Sequence, residues 1–381
     1  MNSVYAALPT TIFEIVSNTA REVGAVNLGQ GFPDDPGAED VRRVAADYVM
    51  NGWNQYPPML GLPELRQAIA DHYLEHQGLT IDPNREVMVT SGATEAIAGA
   101  LFALIEPGDE VILFPPVYDA YSPLVRRAGG VPIFVPLLPP DWEITREALD
   151  AAITPKTKFV LLNNPLNPAA KVFPRAELEL LAAFCVEHDL IAICDEVWEH
   201  VIFDEREHVP LIGLPGMHDR TVKIGSAGKI FSLTGWKVGW VIAGAELIGQ
   251  LAKAHMFLTF TTPPNLQAAV AYGLTKERAF FDDVSAQFQR SRDRFGGGLT
   301  ELGFTVLPSE GTYFLNVDVR PFGFADDVEF ALHLVNEVGV AGIPVSAFYP
   351  NGEVRSAIRF CFAKKDETLD LALERLAKLK A

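Results

Sequence analysis

Lys229 stands in Ile224-Gly-Ser-Ala-Gly-Lys-Ile-Phe-Ser-Leu-Thr, an amine set among small and hydroxyl side chains after a strand-like run. A solvated surface lysine needs no such setting. A lysine that bonds covalently to a carbonyl does, because its nitrogen must carry a bulky partner. Lys237 follows in Gly-Trp-Lys-Val-Gly and adds a second positive charge. Asp195 closes the apolar run Ile191-Ala-Ile-Cys-Asp. A carboxylate in such a place must be paired. A salt bridge or a helix cap would serve, as would a cationic ring nitrogen kept protonated as an electron sink.

Three further stretches offer chemistry. Val87-Met-Val-Thr-Ser-Gly-Ala-Thr-Glu reads as strand, turn and helix start. Small residues there, Ser91, Gly92, Ala93 and Thr94, let backbone N–H groups approach a phosphate, although an ordinary capped helix start reads the same way. Ser226 and Lys237 would complete such a phosphate site. Tyr118, in Pro115-Pro-Val-Tyr-Asp-Ala-Tyr, could stack on a flat ring or pack in the core. Arg359, in Ala357-Ile-Arg-Phe-Cys-Phe, needs an anionic partner. Its planar fork suits a carboxylate, from a ligand or from an internal salt bridge.

The elements that must position these groups follow from apolar patterning. Glu86-Val-Met-Val-Thr, Glu110-Val-Ile-Leu-Phe, Lys158-Phe-Val-Leu-Leu-Asn-Asn, Ile191-Ala-Ile-Cys-Asp-Glu, Thr221-Val-Lys-Ile-Gly-Ser and Gly239-Trp-Val-Ile-Ala-Gly are short and rich in branched residues. Most lack polar alternation, as strands buried on both faces do. Helical patterns lie between them, so an α/β fold with a mostly parallel sheet is expected over residues 42–272. A long helix begins near Glu277. Strand-like Thr312-Tyr-Phe-Leu-Asn-Val, a helix near Asp326 and the Arg359 strand come after it. These form a smaller α+β domain, residues 273–381, completed by residues 1–41. Asn163, Asn167, Asp195, Ser226 and Lys229 all fall at strand ends, where ligands of such sheets bind.

Bulk properties narrow the function. Lys plus Arg number 31 and Asp plus Glu 49, a formal charge of −18. Such a surface repels nucleic acid. The three cysteines form no C-x-x-C pair and no disulfide framework, in keeping with a reducing cytoplasm. Neither a signal peptide nor a transmembrane run is evident. Gly29-x-Gly31 precedes Pro33 and Pro36, which forbid the helix of a dinucleotide fingerprint. The Gly296–Gly298 triplet lacks a P-loop ending. No histidine pair is read as having zinc-ligand spacing, and no metal is expected.

Nearly the whole chain, from Val26-Asn-Leu-Gly-Gln-Gly-Phe-Pro-Asp to Ala357-Ile-Arg-Phe-Cys-Phe-Ala-Lys, resembles the fold-type I, pyridoxal phosphate-dependent class I/II aminotransferases. It is most similar to the branch of kynurenine aminotransferase, glutamine transaminase K and methionine aminotransferase. The resemblance implies that Lys229 bonds the cofactor's carbonyl. Asp195 would then pair the ring nitrogen, Asn167 would lie near the ring hydroxyl and Tyr118 would stack. Ser226 and Lys237 would hold the phosphate, and Arg359 the substrate carboxylate with the Gly31 backbone nearby. Tyr56 would reach the phosphate of a neighbouring subunit in a homodimer. Two departures stand out. Trp198 replaces a tyrosine that helps hold the ring hydroxyl, and Ala170 replaces a glycine at a place where a turn of positive φ would be strained by alanine.

The expected reaction is ping-pong transfer of an amino group from a neutral amino acid to a 2-oxo acid. Arg359 accounts for one carboxylate, and no second arginine matches a dicarboxylate site. Phe32, Tyr56, Tyr118, Phe260, Thr94 and Thr261 are expected around an apolar side-chain pocket. A β-lyase using the same site is one alternative. A ligand sensor of the same fold is another, although such regulators carry a preceding DNA-binding domain.

Overall fold

The computed structural model describes residues 2–380. Its larger sheet has seven strands: β1 (Val87–Thr90), β2 (Glu110–Leu113), β3 (Val131–Phe134), β4 (Thr157–Asn163), β5 (Ile191–Asp195), β6 (Thr221–Ser226) and β7 (Gly239–Ile242). Their order is β1-β7-β6-β5-β4-β2-β3. All neighbours run parallel except β7, which is antiparallel to both β1 and β6.

Alternate residues of the central strands enter two different cores. Phe159, Leu161 and Ile193 join the cluster that includes Ala96, Ile97 and Leu101. Val160, Leu162 and Cys194 join one that includes Leu178, Leu181 and Phe184. Both faces are therefore covered by helices, which is why these strands show no polar alternation. The sequence reading did not name β3. It lies at the sheet edge and contains Pro132, which cannot donate to a ladder and is tolerated there.

Five helices bear on the site: α1 (Ile12–Val23), α2 (Pro63–Gln77), α3 (Ala93–Leu104), α4 (Ala227–Ile230) and α5 (Arg278–Glu301). Helix α1 is capped by Thr11, whose hydroxyl accepts from Glu14 N–H, and ends at left-handed Gly24. It buries Val16 and Ala20 in a cluster with Ile343 and Phe348. Helix α5 presents Phe281, Phe288, Phe295 and Leu299 as one apolar stripe. Through Phe288 on Tyr313 and Phe295 on Phe360 it meets a second, antiparallel sheet.

That sheet contains β8 (Thr305–Val306), β9 (Phe314–Asp318), β10 (Ile343–Pro344) and β11 (Ala357–Cys361), in the order β10-β11-β9-β8. Arg359 lies mid-strand, opposite Asn316 and Ile343. A short parallel pairing of Val26–Asn27 with Val340–Ala341 ties the N-terminal segment to this unit. No helix among the described residues is long and apolar enough to cross a membrane.

Candidate active site

A cavity of ≈ 480 Å³ opens where β1, β4, β5 and β6 end. Lys229 enters it from α4, which Ser226 caps by accepting from Gly228 N–H at 3.2 Å. Among the described residues nothing hydrogen-bonds Nζ, and no carboxylate pairs with it. Two rings face it, Trp198 with its centroid 4.4 Å from Nζ and Tyr313 at 5.8 Å. Burial lowers the amine to about 8, further aided by Lys237 and Arg359 and opposed by Cys361 and Asp195.

Asp195 is buried and forms no ion pair. Tyr121 donates to its Oδ2 at 2.6 Å, and Val197 N–H lies 3.4 Å from Oδ1. Burial raises its carboxyl, with Tyr121 opposing. A desolvated carboxylate held by neutral donors alone fits a cationic ring nitrogen. Asn163 bridges the strand ends, donating to Asp195 O and accepting from Asn167 N–H, both at 2.8 Å. Tyr118 lines the cavity, its ring edge-on to Tyr121 at 5.6 Å. Burial raises its phenol to about 12.

The phosphate-sized end is built by close approach. Helix α3 starts at Gly92, at φ 80°, with no side chain capping it. A Cβ on Gly92 would lie 3.2 Å from Lys237 Cε and 3.4 Å from its Nζ. One on Gly239 would lie 2.8 Å from Gly92 C and 2.9 Å from Ala93 N. Lys237, left-handed at φ 54°, therefore leans over a helix N-terminus. Gly92, Ala93, Thr94, Ser226 and Lys237 line the cavity there. A cation, a hydroxyl and a glycine-bared helix start form an anion cradle. Ser91 does not join it. Its N–H donates to Glu95 at 2.9 Å, and its hydroxyl faces Thr262 at 3.3 Å.

Arg359 reaches the cavity from the second sheet. Its guanidinium donates to Asn167 Oδ1 at 3.0 Å and to Gly29 O at 2.7 Å. Gly31 lines the cavity, where a Cβ would lie 2.4 Å from the Phe314 ring. Three rings surround the guanidinium carbon: Phe314 at 4.0 Å, Phe348 at 5.0 Å and Phe13 of α1 at 5.6 Å. Burial lowers Arg359 to about 10. Its Nε is buried without a partner. A desolvated, incompletely satisfied guanidinium is suited to a ligand carboxylate.

Tyr56 lies outside this chain's cavity. It is 79% exposed and packs edge-on against Phe260 at 5.6 Å. Of the expected pocket residues, Phe32, Thr94 and Tyr118 line the cavity, whereas Phe260 and Thr261 do not. Ala170 does take positive φ, 60°. Its carbonyl there accepts from Glu310 and Gly311 N–H at 2.8 and 3.1 Å, which offsets the local strain.

Several contributors escaped the sequence reading. Tyr121 lies in the same stretch as Tyr118 but was not singled out, and Phe13, Phe348 and Tyr313 come from separate stretches with no chemical signature of their own. Beneath the cavity floor lies a buried polar group: Lys223 Nζ binds Glu196 and Glu199, and His208 Nε2 lies 3.0 Å from Glu196. Glu196, Glu199 and His208 converge as metal ligands could, but the Lys223 ammonium already pairs with both carboxylates. Burial would raise Glu196; Lys223 and His208 instead hold it down to about 2. His72 and His76 sit four residues apart on α2, a spacing legible in the sequence, and meet His200. Nε2 of His72 and of His200 are 2.8 Å apart, so one donates to the other.

A family profile described as aminotransferase class I and II matches residues 23–376. A Mycobacterium tuberculosis protein named probable N-succinyldiaminopimelate aminotransferase is 44% identical, over 97% of this chain and 96% of that one. The Escherichia coli methionine aminotransferase is 39% identical, over 98% and 96%. The solved M. tuberculosis N-succinyldiaminopimelate aminotransferase superimposes with a TM-score of 0.97, covering 100% of both chains.

Proposed function

The chain belongs to the class I and II aminotransferases, whose members use pyridoxal phosphate, and from that premise we propose that it moves the amino group of a neutral L-amino acid to a 2-oxo acid. The observation that carries the donor class is the charge inventory of the cavity. Its lining cations are Lys229, Lys237 and Arg359, and each already has a task. The remaining lining acid besides Asp195 is Asp119, which has no salt-bridge partner among the described residues. A side-chain carboxylate would meet Asp119 and no free cation, whereas an apolar side chain would gain about 0.8 kcal/mol per buried methylene.

Pyridoxal phosphate, when bound, supplies a carbonyl that bonds amines and a ring that draws electrons from the Cα bonds. In this reading Lys237, Ser226 and the start of α3 hold the phosphate. Asp195 would pair the ring nitrogen, Tyr118 would cover the ring, and Asn167 and Trp198 would help hold the ring hydroxyl. Arg359 orients the donor's α-carboxylate. Lys229, once its amine is free, would take the proton from the donor's Cα and later give it up, acting first as general base and then as general acid.

A second reading rests on the 44% identity to the M. tuberculosis protein, whose name specifies N-succinyldiaminopimelate as donor. That compound carries carboxylates beyond the α one, and they would need cations outside the cavity lining. Measuring kcat/KM for methionine, glutamine, leucine, aspartate and N-succinyldiaminopimelate with one fixed 2-oxo acid separates the two. We expect the neutral donors to exceed aspartate by tenfold or more, a difference of about 1.4 kcal/mol. A preference for N-succinyldiaminopimelate over every neutral donor would overturn the neutral assignment. Pyruvate plus ammonia from a cysteine conjugate would reveal β-elimination at the same site.

A further inference from the structure

The buried polar group beneath the cavity and the indole above it belong to one device. Glu196 and Glu199 lie on either side of Trp198 in the turn after β5, and both carboxylates grip Lys223 of β6. The same strand leads through Ser226 into α4 and Lys229. Both partners of the Trp198–Lys229 contact therefore hang from a single buried ion cluster. Tyr313 braces the arrangement from the second sheet. Its ring meets Trp198 edge-on at 4.5 Å, and its hydroxyl donates to Lys229 O at 2.8 Å. Phe314 closes the other side of the indole at 5.7 Å. Packed by both rings and only 3% exposed, the indole presents its face to Nζ at 4.4 Å with little freedom to turn away.

We propose that Trp198 is a positioning residue for Lys229, its indole face holding the amine whenever that amine is free and protonated. An indole is the strongest aromatic partner for an ammonium, and the attraction grows where water is excluded. Charged groups face this amine from several elements. Asp195 on β5 attracts it, Lys237 and Arg359 repel it, and Cys361 of β11 would attract it only as a thiolate, which burial disfavours. None of these hydrogen-bonds or ion-pairs with Nζ. Two ring faces meet it, Trp198 at 4.4 Å and Tyr313 at 5.8 Å, and the nearer indole both favours the charged amine and fixes where it points. The proposal rests on the transaminase reading for its significance, since only there must Lys229 leave a bond, carry a proton and return.

The test needs neither cofactor turnover nor substrate. In the cofactor-free full-length chain, trace acetylation followed by peptide mapping gives the rate at Lys229 as a function of pH, and so its apparent pKa. We expect that pKa to fall by about one unit in Trp198→Leu, a tenfold change in the charged-to-neutral ratio, and by less in Trp198→Phe, which keeps a weaker face. If the leucine variant does not fold, Trp198→Met replaces it. An unchanged or raised pKa in the ringless variant overturns the proposal. As a second readout, the acid limb of kcat against pH should move in the same direction in the loaded enzyme. Loss of kcat with an unmoved limb would mean that Trp198 serves packing alone. A chain that shows no transamination, yet shows the acetylation shift, would refute the functional reading and leave the contact standing.

Discussion

Lys229 gains its reactivity by losing water. An exposed lysine is almost wholly charged at neutral pH, whereas burial brings this one to about 8. Only the neutral amine attacks a carbonyl. Aldehyde capture by the cofactor-free chain should therefore slow about tenfold for each pH unit below 8 and level off above it. Lys229→Ala should cut transamination by more than about 10³-fold while leaving thermal unfolding nearly unchanged. Borohydride reduction of the loaded wild type should fix the cofactor to Lys229, and a label on Lys237 would refute the assignment. The sequence exposed Lys229, Asp195 and Arg359 because each is a costly residue in an apolar or crowded setting. It hid Tyr121 and Tyr313, because a tyrosine in a hydrophobic stretch looks the same whether or not its hydroxyl has a partner.

At the scale of elements, branched apolar runs revealed six strands of the larger sheet, and the segment beginning near Glu277 read as the long helix α5. The reversed direction of β7 was not legible. Strand patterning records which faces are buried and carries no sign for polarity. The packing of α2 against the turn after β5 was also hidden, although it sets a pH limit. Burial first, then neighbouring histidines, hold His72 and His200 well below the usual imidazole range; Lys223 and Arg278 add to this at His200. Both rings are thus neutral when folded, while in the unfolded chain they take protons near pH 6.5. Unfolding then binds protons as pH falls below about 6.5, so stability drops by up to about 2.7 kcal/mol per pH unit for the two. Glu196, at about 2, adds its own loss only below about pH 4.5. Urea midpoints measured from pH 8 to pH 5 should show the first decline, and His72→Phe/His200→Phe should flatten it. An equally steep decline in the double variant would place the acid sensitivity elsewhere.

At the scale of the whole molecule, an apolar surface is left uncovered. Trp53, Tyr56, Phe257 and Phe260 are 70%, 79%, 85% and 40% exposed, and Tyr56 touches Phe260. In a homodimer of the expected kind such a surface would be covered, and Tyr56 would serve the neighbour's phosphate. Mixing Tyr56→Ala and Lys229→Ala chains under conditions of subunit exchange should restore about a quarter of wild-type activity, since half the dimers are mixed and each mixed dimer has one intact site. No recovery despite proven exchange, with both parents inactive, would exclude a shared site. The reversed strand β7 has a different consequence. Because it starts where β1 and β6 end, the chain from Ser226 to Gly239 leaves the crevice and returns to it within one short excursion, with Lys229 near its departure and Lys237 near its return. The span between an anion over Gly92 and a carbonyl at Lys229 is therefore set by the contour of one loop, as the jaws of a caliper are set by its bar. A ring aldehyde whose phosphate is missing, or hangs one methylene further out, would be measured against that gauge and found the wrong length.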